Sequence, residues 1–277
     1  MGQWTIWRDS GTVSHRCGGR QGHGVEGVGV SEALRKAMLI LDALRESTDD
    51  LSARELAARL DVPKSTAQRL LQSLEESQMT VQDPASRKYR LGPRTLTLGM
   101  AYRERLDLRN TALPHMRTLR DATDETIGLS VVVGAERMFI EEVQSQSELR
   151  AHSELGYPYP LWTGAPGRVL LAHLPSADTD AALRDAGERP WRAIGLADRD
   201  AFLERLAEIR RAGHDRAFDE TINGVSAIAV PVRDATSRIA AALSVSGPSA
   251  RMSEPEMDRI LPEAQAAAHK ISQALGG

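Results

Sequence analysis

Four polar side chains recur at one helical spacing: Ser65, Gln68, Arg69 and Gln72 stand at i, i+3, i+4 and i+7. Their chemistry is recognition rather than bond-making. Amides and a guanidinium can pair with base edges, and a hydroxyl beside them suits a phosphate oxygen. On the other side of the same segment, Ala67, Leu70, Leu71 and Leu74 have the spacing of one buried stripe. A helix with an apolar back and Arg among short polar residues in front fits a major groove. Lys64, Ser65 and Thr66 open this helix, where free N–H groups and the helix dipole attract phosphate. The candidate contacts to double-stranded DNA on this helix are therefore Lys64, Ser65, Thr66, Gln68, Arg69 and Gln72.

The neighbouring residues supply what must position that helix. Ser52 with Glu55 makes a capping box, and Leu51 with Leu56 closes a hydrophobic staple across it. Leu56, Ala57 and Leu60 continue the stripe of this first helix, Asp61–Val62 is a very short connection, and Pro63 suits the first turn of the next helix. Met79–Gln82 and Lys88–Leu91 are predicted strands around a turn at Asp83-Pro84-Ala85-Ser86. Arg87, Lys88 and Arg90 make this wing basic, and Arg87 and Lys88 join the candidate DNA contacts. Upstream, Ser31–Glu46 is a predicted helix whose core-facing stripe is Leu34, Met38, Leu41 and Leu44. Residues 31–94 hold 11 Lys/Arg against 10 Asp/Glu, a net +1. So nearly neutral a module implies modest affinity per subunit, with a dimer needed for tight binding.

Composition bounds the rest. A chain of 277 residues suits two domains, and its net charge of −3 excludes a non-specific polycation. The lone Cys17 excludes a disulfide framework and a cysteine-based zinc site. No apolar run reaches the ~18–20 residues of a membrane span, and the N-terminus has no h-region, so a cytoplasmic protein without membrane contact is expected. Residues 1–30 are Gly-rich and aperiodic and carry Trp4 and Trp7; a disordered tail is expected. Within it Gly22–Gly27 matches G-x-G-x-x-G, but neither a strand nor a βαβ unit surrounds it, and it is taken as chance. A native start further downstream, at Met38 or at Val25, Val28 or Val30, is a further expectation, decided by mass spectrometry of the native N-terminus.

After the wing, Gly92-Pro93 breaks the chain. Leu96–Leu108 and Leu113–Thr123 are predicted helices, the first a linker at 95–110 between a DNA-binding domain at 31–94 and a second domain at 111–277. From Thr126 strands and helices alternate. Ile127–Val133 and Arg137–Val143 form a hairpin, Gly167–Leu174 is an apolar helix, and Asp200–Ala212 is a helix stopped by Gly213. Ser226–Arg233 and Ile239–Val245 are β-branched strands, giving an α+β domain. Alternation sends Ser244 and Ser246 to one face of the last strand. Such hydroxyls can grip a carboxylate or carbonyl, or hydrogen-bond their own loop before Gly247-Pro248.

Five blocks in order resemble the IclR-type transcriptional regulators over roughly residues 28–275: VPKSTAQRLLQSLEE (62–76), YRLGPRTLTLG (89–99), PLWTGAPGRVLLAHL (160–174), DETINGVSAIAVPVRD (219–234) and AALSVSGPSAR (241–251). The resemblance implies an N-terminal winged helix-turn-helix, a linker helix and a C-terminal GAF/PAS-like antiparallel sheet with flanking helices that binds a small effector. It also implies a homodimer or tetramer and, more often than activation, repression of catabolic genes. Ser244 and Ser246 match effector contacts of the family, and Asp219 and Glu220 match its acidic pocket segment. In the stretch Trp162, Thr163, Gly164, Ala165, relatives present backbone N–H groups to an anion. The matching pair here is Ala165 and Pro166, and Pro166 has no N–H. Ala227 stands where many relatives carry Cys. With Tyr157, Tyr159 and Trp162 as a possible aromatic wall, these departures favour an organic acid larger than a small 2-oxo acid, partly apolar or aromatic.

An enzyme is not expected. The sequence has no G-x-S-x-G, P-loop or H-E-x-x-H, and His115, His152, His173, His214 and His269 lack metal-ligand spacing. Neither cofactor nor metal is expected. The alternative to an effector-controlled regulator is an architectural DNA-binding protein that needs no effector.

Overall fold

The computed structural model describes residues 31–104, 107–184 and 186–276. The N-terminal tail, with its G-x-G-x-x-G and Cys17, lies outside the described residues. The chain divides into two compact units, at residues 1–96 and 97–277.

The first unit contains helices α1 (Glu32–Glu46), α2 (Ala53–Arg59) and α3 (Lys64–Glu76), then strands β1 (Thr80–Gln82) and β2 (Tyr89–Leu91). The capping box forms: Glu55 N–H donates to Ser52 Oγ at 3.3 Å, and Ser52 N–H to Glu55 Oε2 at 2.7 Å. Pro63 stands as the N-cap of α3, one residue ahead of its first helical turn. Leu51 adds a backbone bridge to Tyr89, with N–O distances of 3.0 and 2.7 Å, so the wing is stitched to the entry of α2. Ile40, Leu44, Leu51, Leu56, Leu70, Leu71 and Tyr89 form the core. Leu34 and Met38 do not join it; they are 57% and 52% exposed. The buried residues of α1 are Ile40, Leu41 and Leu44, all in its C-terminal half, so its first turns run past the core.

Helix α4 (Pro93–Glu104) crosses the division between the units, starting three residues earlier than the predicted linker helix. Helix α5 (Asp107–Thr123) begins well before the predicted Leu113. Pro114 lies inside it and offers no N–H to the preceding turn, yet burial of Ala112, Met116 and Leu119 carries the helix through. The strands are β3 (Thr126–Val133), β4 (Glu136–Val143), β5 (Pro158–Pro160), β6 (Asp215–Phe218), β7 (Val225–Arg233) and β8 (Ile239–Pro248). They form one antiparallel sheet in the order β5-β4-β3-β8-β7-β6. Helices α6 (Gly164–His173), α7 (Ser176–Leu183), α8 (Arg189–Arg192) and α9 (Arg199–Ala212) precede β6, and α10 (Glu254–Ala274) ends the fold. The periodicity reading above does not include α7, α8, α10, β5 or β6.

The sheet is covered on both faces. Helices α5 and α10 bury Met116, Leu119, Met257, Ile260 and Ile271 against Ile127, Leu129, Leu243 and Val245. Helices α6 and α9 bury Leu170, Leu171, Phe202, Leu206 and Ile209 against Ala229 and Ala242. Strand alternation assigns Leu243 and Val245 to one face, Ala242 and Ser244 to the other. A bulge interrupts the β3–β4 ladder: Leu129 pairs with Glu141 and Ser130 with Phe139, leaving Ile140 as the extra residue. The α+β arrangement expected from sequence is the one the chain adopts.

Candidate functional site

In the first unit α3 presents the two faces its spacing requires. Ala67, Leu70 and Leu71 are buried, whereas Lys64, Ser65, Gln68, Arg69 and Gln72 are exposed and Thr66 is half-buried. Among the described residues neither Lys64 nor Arg69 has an ion pair. The acidic neighbours are engaged elsewhere: Glu75 accepts the Gln82 N–H of the wing at 3.2 Å, and Asp50 takes Arg90 at 3.2 Å. Arg90 therefore belongs to the fastening of the wing and is not a free basic residue. Asp83 holds the wing tip by accepting from Ser86 N–H at 2.7 Å and from its hydroxyl, which keeps the Asp83 carboxyl below the usual carboxylate range. Arg87 is exposed just beyond this turn at φ +59°, and Lys88 is half-buried beside it.

In the second unit a cavity of about 60 Å³ opens between the sheet and the start of α6. Its wall takes Arg137 and Phe139 from β4, Ala227 from β7 and Ser246 from β8. Gly164, Ala165 and Pro166 supply the α6 end, and Glu220, Thr221 and Ile222 the loop between β6 and β7. Gly164 sits at φ +65°, and a Cβ there would stand 2.9 Å from Thr221 Oγ1, so only glycine lets loop and helix meet. Thr163 gives its hydroxyl to the Pro160 carbonyl at 2.7 Å, leaving the α6 N-terminus without a side-chain cap.

The sequence-predicted residues separate on this wall. Gly164, Ala165, Glu220, Ala227 and Ser246 line the cavity; Trp162, Thr163, Asp219 and Ser244 do not. Ser244 is fully buried and donates to the Gly128 carbonyl at 3.4 Å. Asp219 fastens its own loop, accepting from Gly224 N–H at 2.6 Å and from the Ser249 hydroxyl at 2.7 Å. The predicted aromatic wall also changes members. Phe139, Tyr159 and Tyr157 meet edge to face, at 5.9 and 5.0 Å between successive centroids, whereas Trp162 packs beneath the Arg189 guanidinium at 5.7 Å. The expectation of a larger ligand meets a small volume. A water needs ~10–15 Å³ by this measure and ligand pockets commonly span ~300–1,000 Å³, so about 60 Å³ suits a compact molecule.

Two arginines near the cavity differ sharply. Arg168 is buried but fully engaged: Nε donates to Asp215 Oδ2 at 2.6 Å, Nη2 to Glu220 Oε1 and the Arg216 carbonyl at 3.0 Å each, and Nη1 to Glu220 Oε2. Burial opposes its charge, but Asp215 and Glu220 more than offset that and raise its pKa. Arg137, on the wall itself, is equally buried, and among the described residues its Nε and Nη1 have no hydrogen-bond partner. Burial pulls its pKa down to about 10. The periodicity reading assigned Arg137 only to a strand. The available signal was a cation at the head of the apolar run Met138–Ile140 in a strand segment, RMFIEEV.

Strand β4 has a second charged member. Glu141 is 3% exposed and takes Arg103 Nη2 of α4 on both oxygens, at 2.7 and 2.8 Å, together with Arg109 of α5.

Comparison with known proteins decides the family. The model of the bacterial transcriptional regulator IclR C-terminal domain matches residues 100–273, and that of the IclR helix-turn-helix domain matches residues 33–84. The chain belongs to the IclR family. This regulator is 31% identical to the HTH-type transcriptional regulator BhcR of Paracoccus denitrificans (strain Pd 1222), over 96% of this chain and 94% of that one. It is 29% identical to the HTH-type transcriptional repressor AllR of Escherichia coli (strain K12), over 89% and 91%. An IclR homologue from Microbacterium hydrocarbonoxydans, solved in complex with 4-hydroxybenzoate, superposes with a TM-score of 0.72 at 25% identity, over 88% of this chain and 98% of that one. The protein is thus a DNA-binding transcriptional regulator and not an enzyme. No described helix is long and apolar enough to cross a membrane.

Proposed function

We propose that this IclR-family protein is a cytoplasmic repressor whose hold on operator DNA is set by a small organic acid bound in the α6 cavity. Residues 31–94 serve as the DNA-binding domain, 95–110 as the linker and 111–277 as the sensor. Lys64, Ser65, Thr66, Gln68, Arg69 and Gln72 contact the major groove, and Arg87 and Lys88 the flanking backbone. Gly164, Ala165, Glu220, Ala227 and Ser246 surround the effector. A dimer places two copies of α3 in successive major grooves, roughly 34 Å apart. Apolar surface suited to pairing is present on α1 at Leu34 and Met38 and on α4 at Leu96, Leu98 and Tyr102, all more than half exposed.

The observation that carries this reading is the double duty of β4. One strand supplies Arg137 and Phe139 to the cavity and, through Glu141, holds Arg103 of the linker helix. A ligand that prefers one position of β4 therefore biases α4, and DNA affinity changes only by the ligand's differential affinity for the two arrangements. The repressor sense rests on the likeness to AllR, and the acid on the relative bound to 4-hydroxybenzoate. Footprinting on the promoter of the flanking genes, with and without carboxylic acids, tests the reading. A footprint that weakens when acid is added is expected. A footprint indifferent to every metabolite supplied would favour an architectural DNA-binding protein instead.

A further inference from the structure

We propose that Arg137 is the anion anchor of the cavity and makes a carboxylate the required head group of its ligand. The inference rests on the effector reading above and names that effector's chemistry. Arg137 lies on the wall at 2% exposure, its Nε and Nη1 without hydrogen-bond partners. Among the described residues no carboxylate lies within ion-pair distance of it. Glu220, on the same wall, is held by Arg168, and Glu142 is held by His152 and the Ser153 N–H. What Arg137 does touch are ring faces, Tyr159 at 4.7 Å and Phe139 at 4.9 Å from the centroids. Rings stabilise a cation but accept few of its N–H groups.

Its remaining surroundings are positive. A Cβ on Gly167 would stand 3.1 Å from Arg137 Nε, and one on Gly164 3.9 Å from Nη2, so the guanidinium lies along the first turn of α6. That is the positive end of the helix dipole, and no side chain caps it. Pro166 removes one N–H from the same turn. Burial and the nearby Arg168 act against the charge, yet a pKa of about 10 leaves Arg137 protonated at neutral pH. Buried charges persist where something pairs them, and nothing in the described protein pairs this one. A carboxylate completes the arrangement, one oxygen facing the guanidinium fork and the other the Gly164 and Ala165 N–H groups. The small volume and the aromatic rings then select a compact body behind that head group.

The experiment uses the full-length protein. Pyruvate, lactate and benzoate, each beside its neutral primary amide, are titrated by calorimetry and thermal shift into wild type, Arg137→Met and Arg137→Lys. At least one acid binds wild type and raises its Tm. The matching amide binds about 30-fold more weakly or worse, and Arg137→Met loses a similar factor for the acid while Arg137→Lys keeps part of it. Ligand-free Arg137→Met melts as high as wild type or higher, because an apolar chain replaces an unpaired cation. A merely structural arginine would lower that Tm. Equal acid affinity in wild type and Arg137→Met, equal affinity for acid and amide, or no binding of any acid would each overturn the anchor. The effector reading fails separately: an acid bound through Arg137 that leaves operator affinity unchanged upholds the anchor and sinks that reading. A neutral ligand that releases operator does the reverse.

Discussion

Arg137 and Glu141 share β4, and the bulge at Ile140 sends them to opposite faces of the sheet. Arg137 borders the cavity beside α6; Glu141 grips Arg103 of α4 and Arg109 of α5. Without the extra residue, alternation would place both charges on one face. The bulge is thus what lets one strand hold α4 and α5 on one face and line the cavity on the other.

That relationship makes Glu141→Gln an uncoupling substitution. Glutamine keeps the shape but removes the charge that holds two arginines. Arg103 and Arg109 both reach solvent, so the loss is expected at about 1–3 kcal/mol, less than the roughly 3–5 kcal/mol of a fully buried pair. Urea unfolding measures it. Acid binding should persist in this variant while the accompanying change in operator affinity shrinks; an undiminished change would remove Glu141 from the relay.

On the DNA side, Arg69→Ala should weaken specific operator binding by about 1–3 kcal/mol if its guanidinium reads a guanine. Its exposure predicts an unchanged Tm. Lys64→Ala should weaken specific and non-specific binding alike and reduce the salt slope by about one. Anisotropy titrations at several salt concentrations separate these outcomes, and an Arg69→Ala protein with wild-type operator affinity would exclude base reading by that residue.

Gly128→Ala tests the seat of the Phe139 ring, which lines the cavity. A Cβ there would fall 2.6 Å from Phe139 Cε1 and 2.9 Å from Ser244 Oγ. Overpacking of this kind costs about 1–3 kcal/mol. Displacement of the Phe139 ring should also reduce ligand affinity. A variant as stable as wild type, with full ligand affinity, would show that the ring has room the geometry denies it.

The DNA-reading unit was the more legible half because its signals are local. A capping box, a two-faced helix and a turn of Asp and Pro residues are written in consecutive residues, so α2, α3 and the wing follow from sequence spacing. The core membership of α1 was less legible, since periodicity gives a stripe but not where the partner helices end; Leu34 and Met38 fall beyond that limit. The cavity depends on contacts across the sheet. Ser244 and Ser246 share a face by alternation, yet Ser244 is consumed by Gly128 on the neighbouring strand. Asp219 has the chemistry of a ligand contact and is taken by its own loop. Arg137 is the reverse case. Only the tertiary structure shows that, among the described residues, no carboxylate comes to meet it.

His173 supplies a pH dependence. Burial holds its pKa below the ordinary 6.5, while its Nδ1 meets the Val169 carbonyl at 2.8 Å. The unfolded chain therefore binds the proton first as pH falls. The stability contributed by the neutral ring is complete above about pH 6.5 and declines as pH drops from there toward the folded value. The drop in Tm between pH 7.5 and 5.5 should be smaller in His173→Gln than in wild type. Equal drops would mean that other groups carry the acid sensitivity.

On the proposed mechanism the occupant of the α6 cavity sets the grip on DNA. The most direct measurement is operator-duplex anisotropy with the full-length protein, titrated with and without a saturating carboxylate that binds wild type. The acid should raise the operator Kd at least about fivefold, the lower end of usual allosteric coupling, and Arg137→Met should abolish this response. A saturated cavity with an unchanged operator Kd would contradict that mechanism.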